Sequence, residues 1–204
     1  MVKFKNMIEN SNAYILAGGR SERMGKNKAN LEWYGTTFLE NIYDSLKKIF
    51  KDVFVIVKKK LNDDSRYIED LLEVYSPLTG IYTALKHTDK DFIFVKACDN
   101  PLISEKLIYE MYIFANNHYD VVVPKASDGL HPLYAFYSKK ILPDIEKLFN
   151  VGSFKIISLY NQCKVKYIEE DEIKRFDKKL ITMKNINTPE DLKKFKELFK
   201  EEKI

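Results

Sequence analysis

The 204-residue chain has little of what marks several common protein classes. It has only two cysteines, Cys98 and Cys163, too few for a disulfide framework or a structural zinc set. That usage suits a reducing compartment, and a cytoplasmic location is expected. No run of about 18 apolar residues occurs, so no membrane span is expected. The basic start, Met1-Val2-Lys3-Phe4-Lys5, is interrupted by Glu9, Asn10, Ser11 and Asn12 before any signal-peptide core can form. An excess of one charge is also lacking. Lys and Arg number 34 against 30 Asp and Glu, a net +4. That is too small to predict nucleic-acid binding, yet it suits small phosphorylated anions as ligands. Seven glycines and four arginines are few enough that their positions carry information.

What is present is apolar and aromatic: 45% hydrophobic residues, with 13 Phe and 13 Tyr. At this length folding buries about 70% of the extended-chain surface, enough for one core. Ala13-Tyr14-Ile15-Leu16 and Val53-Phe54-Val55-Ile56-Val57 read as strands buried on both faces, since they lack polar alternation. Residues 92–95 and 121–123 read as further strands, and 165–168 as a candidate late one. Residues 133–137 form a further strand with no crossover helix before it, so an antiparallel course is expected. Thr37 and Glu40 form a capping box ahead of Phe38, Ile42, Leu46 and Ile49 at helical spacing. Helices are expected from residue 77 to about 86, after Ser104, over 141–149 and 154–160, and from Pro189 with Thr188 as cap. Strands alternating with helices predict an α/β fold: one Rossmann-like three-layer domain over residues 1–204, its sheet mostly parallel with one antiparallel strand. In such sheets ligands sit beyond the carboxyl ends of the strands. The loops after Leu16, Val57, Val95 and Val123 are therefore the places to search.

The loop after Leu16 reads Ala17-Gly18-Gly19-Arg20-Ser21-Glu22-Arg23-Met24-Gly25-Lys26-Asn27-Lys28. It holds three of the seven glycines and two of the four arginines. Glycine lets backbone N–H groups approach and cradle phosphate oxygens, and arginine offers a planar donor fork for the same oxygens. The P-loop spacing is absent, because five residues separate Gly19 from Gly25 and Asn27 follows Lys26. Gly-x-Gly-x-x-Gly is absent too. Asp99, in Ala97-Cys98-Asp99-Asn100-Pro101, follows a strand directly and is well placed to hold Mg²⁺ over a triphosphate. It could instead close an Asx turn before Pro101.

Leu-Ala-Gly-Gly-x-Ser-x-Arg-Met-Gly-x-x-Lys resembles the loop of the molybdenum cofactor guanylyltransferases, within the nucleotidyltransferases. Three further elements are similar and occur in family order: Ser76-Pro77-Leu78-Thr79-Gly80-Ile81, with Asp70 shortly before it; Cys98-Asp99-Asn100-Pro101; and Asn185-Ile186-Asn187-Thr188-Pro189-Glu190-Asp191-Leu192. His131-Pro132-Leu133 also resembles a family element, although a lone histidine reads more simply as structural. Four positions depart from the pattern. Asn27 replaces an aspartate, Ser76 a glycine and Lys58 an asparagine, and no arginine lies beside Gly152.

The resemblance implies a fold of the nucleotide-diphospho-sugar-transferase type and transfer of GMP from GTP to molybdopterin, with loss of pyrophosphate. It implies a nucleotide site of Leu16, Ala17, Gly18, Gly19, Gly25, Lys28, Asp70 and Asp99. Catalytic roles fall to Arg23, Lys28 and Asp99, with Mg²⁺ on Asp99. Asn185 and Asn187 fall on the pterin side. Other proteins of molybdenum cofactor biosynthesis, or a recipient molybdoenzyme, are the implied partners. Two alternatives stay open: a cytidylyl or sugar-phosphate nucleotidyltransferase, and a GTP-binding cofactor carrier without catalysis.

Overall fold

Each apolar run takes the form its pattern dictates. The computed structural model describes residues 7–18, 28–60 and 63–202, with the side chains of 201 and 202 excepted. In chain order the elements are β1 (Ser11–Leu16), β2 (Glu32–Trp33), β3 (Thr36–Thr37), α1 (Phe38–Lys47), β4 (Val53–Val57), β5 (Tyr67–Glu69), α2 (Pro77–His87), β6 (Phe92–Ala97), α3 (Glu105–Asn116), β7 (Val121–Ala126), β8 (Gly129–Leu130), β9 (Tyr134–Ser138), α4 (Leu142–Asn150), α5 (Ile156–Tyr160), β10 (Val165–Glu169), α6 (Glu170–Lys174) and α7 (Pro189–Glu202).

Eight strands form one sheet in the order β10-β7-β9-β6-β1-β4-β5, with β8 paired to β7. β1 runs parallel to β4 and β6, β4 to β5, and β7 to β10. β9 runs antiparallel between β6 and β7, as the missing crossover helix predicts. The sequence pattern did not announce β5, β8 or the β2–β3 hairpin. These are strands of two or three residues, too short to show a period. The hairpin turn is made by Tyr34 and Gly35, both at positive φ, as a tight two-residue turn requires.

Alternate residues of β1 feed two cores, because strand side chains alternate between faces. Ala13 and Ile15 pack with Ile42 and Leu46 of α1 and Met111 of α3. Tyr14 packs with Leu78, Ile81 and Leu85 of α2 and Ile145 of α4. This is the expected three-layer arrangement. A third cluster seats α7 on the hairpin, with Phe195 against Trp33, Phe38 and Ile186. The starts of α1, α2, α3 and α7 are those read from sequence, whereas α4 and α5 begin at Leu142 and Ile156 rather than at 141 and 154, and the one-turn α6 was not foreseen. Thr37 Oγ1 accepts from the Glu40 N–H at 3.1 Å while Glu40 accepts from the Thr37 N–H at 2.8 Å. Thr188 Oγ1 likewise accepts from the Asp191 N–H at 3.1 Å. Among the described residues no helix is long and apolar enough to cross a membrane.

Candidate active site

The carboxyl ends of β1, β4 and β6 open onto a cavity of about 410 Å³. Three of the four loops singled out from the sequence border it. The fourth does not, since β7 runs on to Ala126 and turns back into β8. The cavity walls carry Gly18, Lys28, Lys58, Asp70 and Asp99, Gly18 lying directly against Lys58, with Leu16, Ala17 and Gly80 supplying apolar surface.

Lys58 and Asp70 organise one end. The Lys58 ammonium donates to Asp70 Oδ2 at 2.7 Å, to the Leu72 carbonyl at 2.9 Å and to the Val74 carbonyl at 2.6 Å. Asp70, whose side chain is 4% exposed, also accepts from Thr79 Oγ1 at 3.0 Å and Thr83 Oγ1 at 2.8 Å. Every donor of Lys58 and both oxygens of Asp70 are thus engaged, and together they tie residues 70–76 to the end of β4. Ser76, where a glycine is usual, has a local task here. Its hydroxyl accepts from the Leu78 N–H at 3.1 Å to cap α2 and donates to the Phe154 carbonyl at 2.7 Å.

At the other end Asp99 follows β6. It is not the residue that closes a turn before Pro101. Asn100 does that, accepting from the Leu102 N–H at 2.8 Å. The Asp99 side chain is 27% exposed, and among the described residues its one ion-pair partner is Lys96 Nζ at 3.8 Å. Asn100 also donates to the carbonyls of Ile181 at 2.6 Å and Lys184 at 2.8 Å. The Ile186 N–H donates to the Asp99 carbonyl at 2.8 Å. These bonds fasten the segment ahead of α7 to the Asp99 loop. They also bring Asn187 Oδ1 within 2.6 Å of the Lys28 ammonium, which donates to it. Residues 159 positions apart in sequence therefore share one rim.

A second cavity, of about 190 Å³, adjoins the first at Asp99. It shares Asp99 and Leu133 with the first and is lined also by Lys96, His131, Tyr134 and Asn185. His131 bonds Asp128 through Nε2 at 3.0 Å.

Of the residues expected at the site, Leu16, Ala17, Gly18, Lys28, Asp70 and Asp99 line the large cavity, Asn185 lines the small one, and Asn187 meets Lys28. Gly19, Arg23 and Gly25 lie outside the described residues. Lys96 escaped the sequence reading. The available signal was one lysine inside the otherwise apolar Phe92-Ile93-Phe94-Val95-Lys96-Ala97. Among the described residues no three His, Cys, Asp or Glu side chains converge as a metal cage. One partly exposed carboxylate, Asp99, nonetheless fits a hard cation whose remaining ligands are substrate phosphates and water, the usual state of Mg²⁺.

Comparison with known proteins places the chain in a family. The family model described as a MobA-like NTP transferase domain matches residues 13–164. A molybdenum cofactor guanylyltransferase from Desulfosudis oleivorans is 33% identical over 184 residues, 88% of this chain and 91% of that protein. A probable molybdenum cofactor guanylyltransferase from Methanosarcina mazei is 35% identical over 196 residues, 88% of this chain and 87% of that protein. The crystal structure of molybdopterin-guanine dinucleotide biosynthesis protein A from Archaeoglobus fulgidus superposes with a TM-score of 0.81 at 24% identity, covering 93% of this chain and 99% of that one.

Proposed function

The chain belongs to the MobA-like NTP transferase family and is a nucleotidyltransferase, and from that premise we propose that it transfers GMP from GTP to the phosphate of molybdopterin. A phosphate oxygen of the acceptor attacks the α-phosphorus. The bond to the β-phosphate oxygen breaks, its electron pair leaves with pyrophosphate, and a new phosphoanhydride joins acceptor and GMP. Chemistry of this kind asks for alignment and charge neutralisation rather than a protein nucleophile.

The observation that carries the reading is the shared rim where Lys28, Asp99 and Asn187 meet at the carboxyl ends of β1 and β6. In this reading Gly18, Gly19 and Gly25 let the first loop wrap the triphosphate. Arg23 and Lys28 neutralise charge on the phosphates and the departing pyrophosphate. Leu16, Ala17 and Asp70 serve the nucleoside end, Asp70 through the loop it holds with Lys58. Asn185 and Asn187 serve the acceptor side. Asp99 is the residue that would hold Mg²⁺, whose role when bound is to offset negative charge on phosphate oxygens. The relatives named as guanylyltransferases, at 33% and 35% identity over most of the chain, support GTP and molybdopterin as substrates. A cytoplasmic setting and partners within molybdenum cofactor biosynthesis go with that assignment.

Thermal shift with GTP, CTP, ATP and UTP, each with and without Mg²⁺, tests the base. A ligand that binds only the folded state raises apparent stability by mass action. Selective stabilisation by GTP is expected. Selective stabilisation by CTP would keep the transferase and overturn the substrate.

A further inference from the structure

Lys96 is the one charged side chain among the core strands whose burial the interactions above do not explain. It sits in the middle of the sheet, paired with Ile15 on β1 and Tyr134 on β9. Its side chain is 3% exposed. An ammonium has three donors and wants an acceptor for each. Yet among the described residues its only ionic partner is Asp99 Oδ1 at 3.8 Å, beyond hydrogen-bonding reach. The Tyr134 ring centroid at 5.7 Å is its other neighbour of note. Burial pushes the lysine below its ordinary pKa, and the Asp99 carboxylate opposes that shift. A buried charge so poorly matched is costly for the fold. That cost is understandable if a ligand supplies the missing acceptors.

The place such a ligand would occupy is the cavity of about 190 Å³ into which Lys96 faces. Its other polar walls are Asp99, His131, Thr182 and Asn185. Asp99 is the only carboxylate among them and already stands beside the ammonium. The Thr182 hydroxyl is turned to Asp177, to which it donates at 2.6 Å. The cavity adjoins the large one through Asp99 and Leu133. An anion here would lie beside Asp99, next to a nucleotide in the large cavity.

We propose that Lys96 is the anion-binding residue of the acceptor site: its ammonium donates to the terminal phosphate of the acceptor and holds that phosphate beside Asp99 for transfer. The assignment rests on the nucleotidyl-transfer reading and adds to it a phosphate seat distinct from the triphosphate loop. The same arrangement implies selectivity. An acceptor that presents a hydroxyl in place of a phosphate leaves Lys96 without a charged partner and binds less well.

The test uses inorganic phosphate as probe, with the nucleotide site first saturated by Mg²⁺ and a GTP analogue carrying a methylene between the α and β phosphorus atoms. Wild type, Lys96→Met and Lys96→Gln are compared by thermal shift. The analogue should stabilise all three alike. Added phosphate should then stabilise the wild type further and leave both variants unmoved. In turnover, the variants should raise KM for the acceptor at least about tenfold, as loss of a charge-assisted bond implies, while KM for GTP stays within about twofold. Two variants guard against one misfolding, and removal of an unmatched buried charge should leave either at least as stable as wild type without ligands. Equal phosphate stabilisation of wild type and variants, or none in any, would overturn the Lys96 assignment while leaving nucleotide transfer intact. Failure of the analogue to bind the wild type would instead overturn the nucleotidyl reading, and the acceptor seat with it.

Discussion

Lys58→Met removes one ammonium and so breaks three tethers at once. Methionine keeps much of the length and apolar stem of lysine but donates nothing. Asp70, 4% exposed, would retain only hydroxyl and N–H donors for its charge, and the carbonyls of Leu72 and Val74 would lose their shared partner. Breaking a buried pair from one side costs about 3–5 kcal/mol. Lys58 is 18% exposed, so the lower end, about 3 kcal/mol, is the reasoned value. For a chain of this size that lowers Tm by about 6–12 °C. The double variant with Asp70→Asn should recover part of the loss, because the stranded charge is then gone. A double-mutant cycle by urea denaturation reads the coupling directly and should give at least about 1 kcal/mol. Nucleotide affinity should fall in Lys58→Met as well, since Asp70, Tyr75 and Ser76 of the tethered segment line the large cavity. A Lys58→Met protein melting within about 2 °C of wild type, or a cycle additive within about 0.5 kcal/mol, would refute the reasoning.

Other expectations rest on single contacts. Asp99→Asn should raise the Mg²⁺ concentration needed for half-maximal turnover, and an unchanged titration would place the metal elsewhere. Lys28→Ala should lower kcat by about 100-fold or more with little change in Tm, since one stabilising donor is lost; full activity would remove Lys28 from the mechanism. Asn187→Ala should impair transfer to the acceptor while sparing GTP binding, measured by calorimetry, and a loss of GTP binding would merge the two halves of the site. Gly80→Ala sets a helix gain of about 1 kcal/mol against a new Cβ placed 3.1 Å from a Leu16 methyl. Its Tm should therefore move little while nucleotide affinity drops several-fold, because Leu16 is pressed toward the cavity. Unchanged affinity would detach Leu16 from the nucleotide. Burial pushes both the Cys98 and Cys163 thiols up to about 12. At pH 8 only about one part in 10⁴ of each is then thiolate, the reactive form. Iodoacetamide should label Cys98 only in urea, and rapid labelling of Cys98 in the native protein would contradict its burial.

Much of the fold was legible because its long elements obey simple periods. β1, β4 and β6 each contain an apolar run of four or five residues, and α1, α3 and α7 open with caps whose bonds form as expected. The antiparallel β9 followed from an absence, the missing helix between it and β7. Short strands such as β5 were illegible because three residues show no period and are held by the neighbouring β4 rather than by their own pattern. At the site, the Gly18 loop and Asp99 stood out in the sequence because each follows a strand directly, and Asn187 through the resemblance alone. Their meeting was not legible. It depends on Asn100 reaching across to the backbone of Ile181 and Lys184, a contact between residues more than 80 positions apart. The departures at Lys58 and Ser76 were visible as substitutions, but their roles as a loop tether and a helix cap needed the geometry. Lys96 was hidden by its setting. A lysine at the end of an apolar strand looks like a strand edge until the sheet order places it at the centre.

The most direct test of the central claim follows the α-phosphate itself. The protein is incubated with Mg²⁺, molybdopterin and each of the four nucleoside triphosphates in turn, labelled at the α-phosphorus, and the fate of the label is read by chromatography. The account predicts that label from GTP alone moves to the pterin, with one pyrophosphate released per transfer. Label that moves from CTP, or GTP bound with no label transferred, would contradict it.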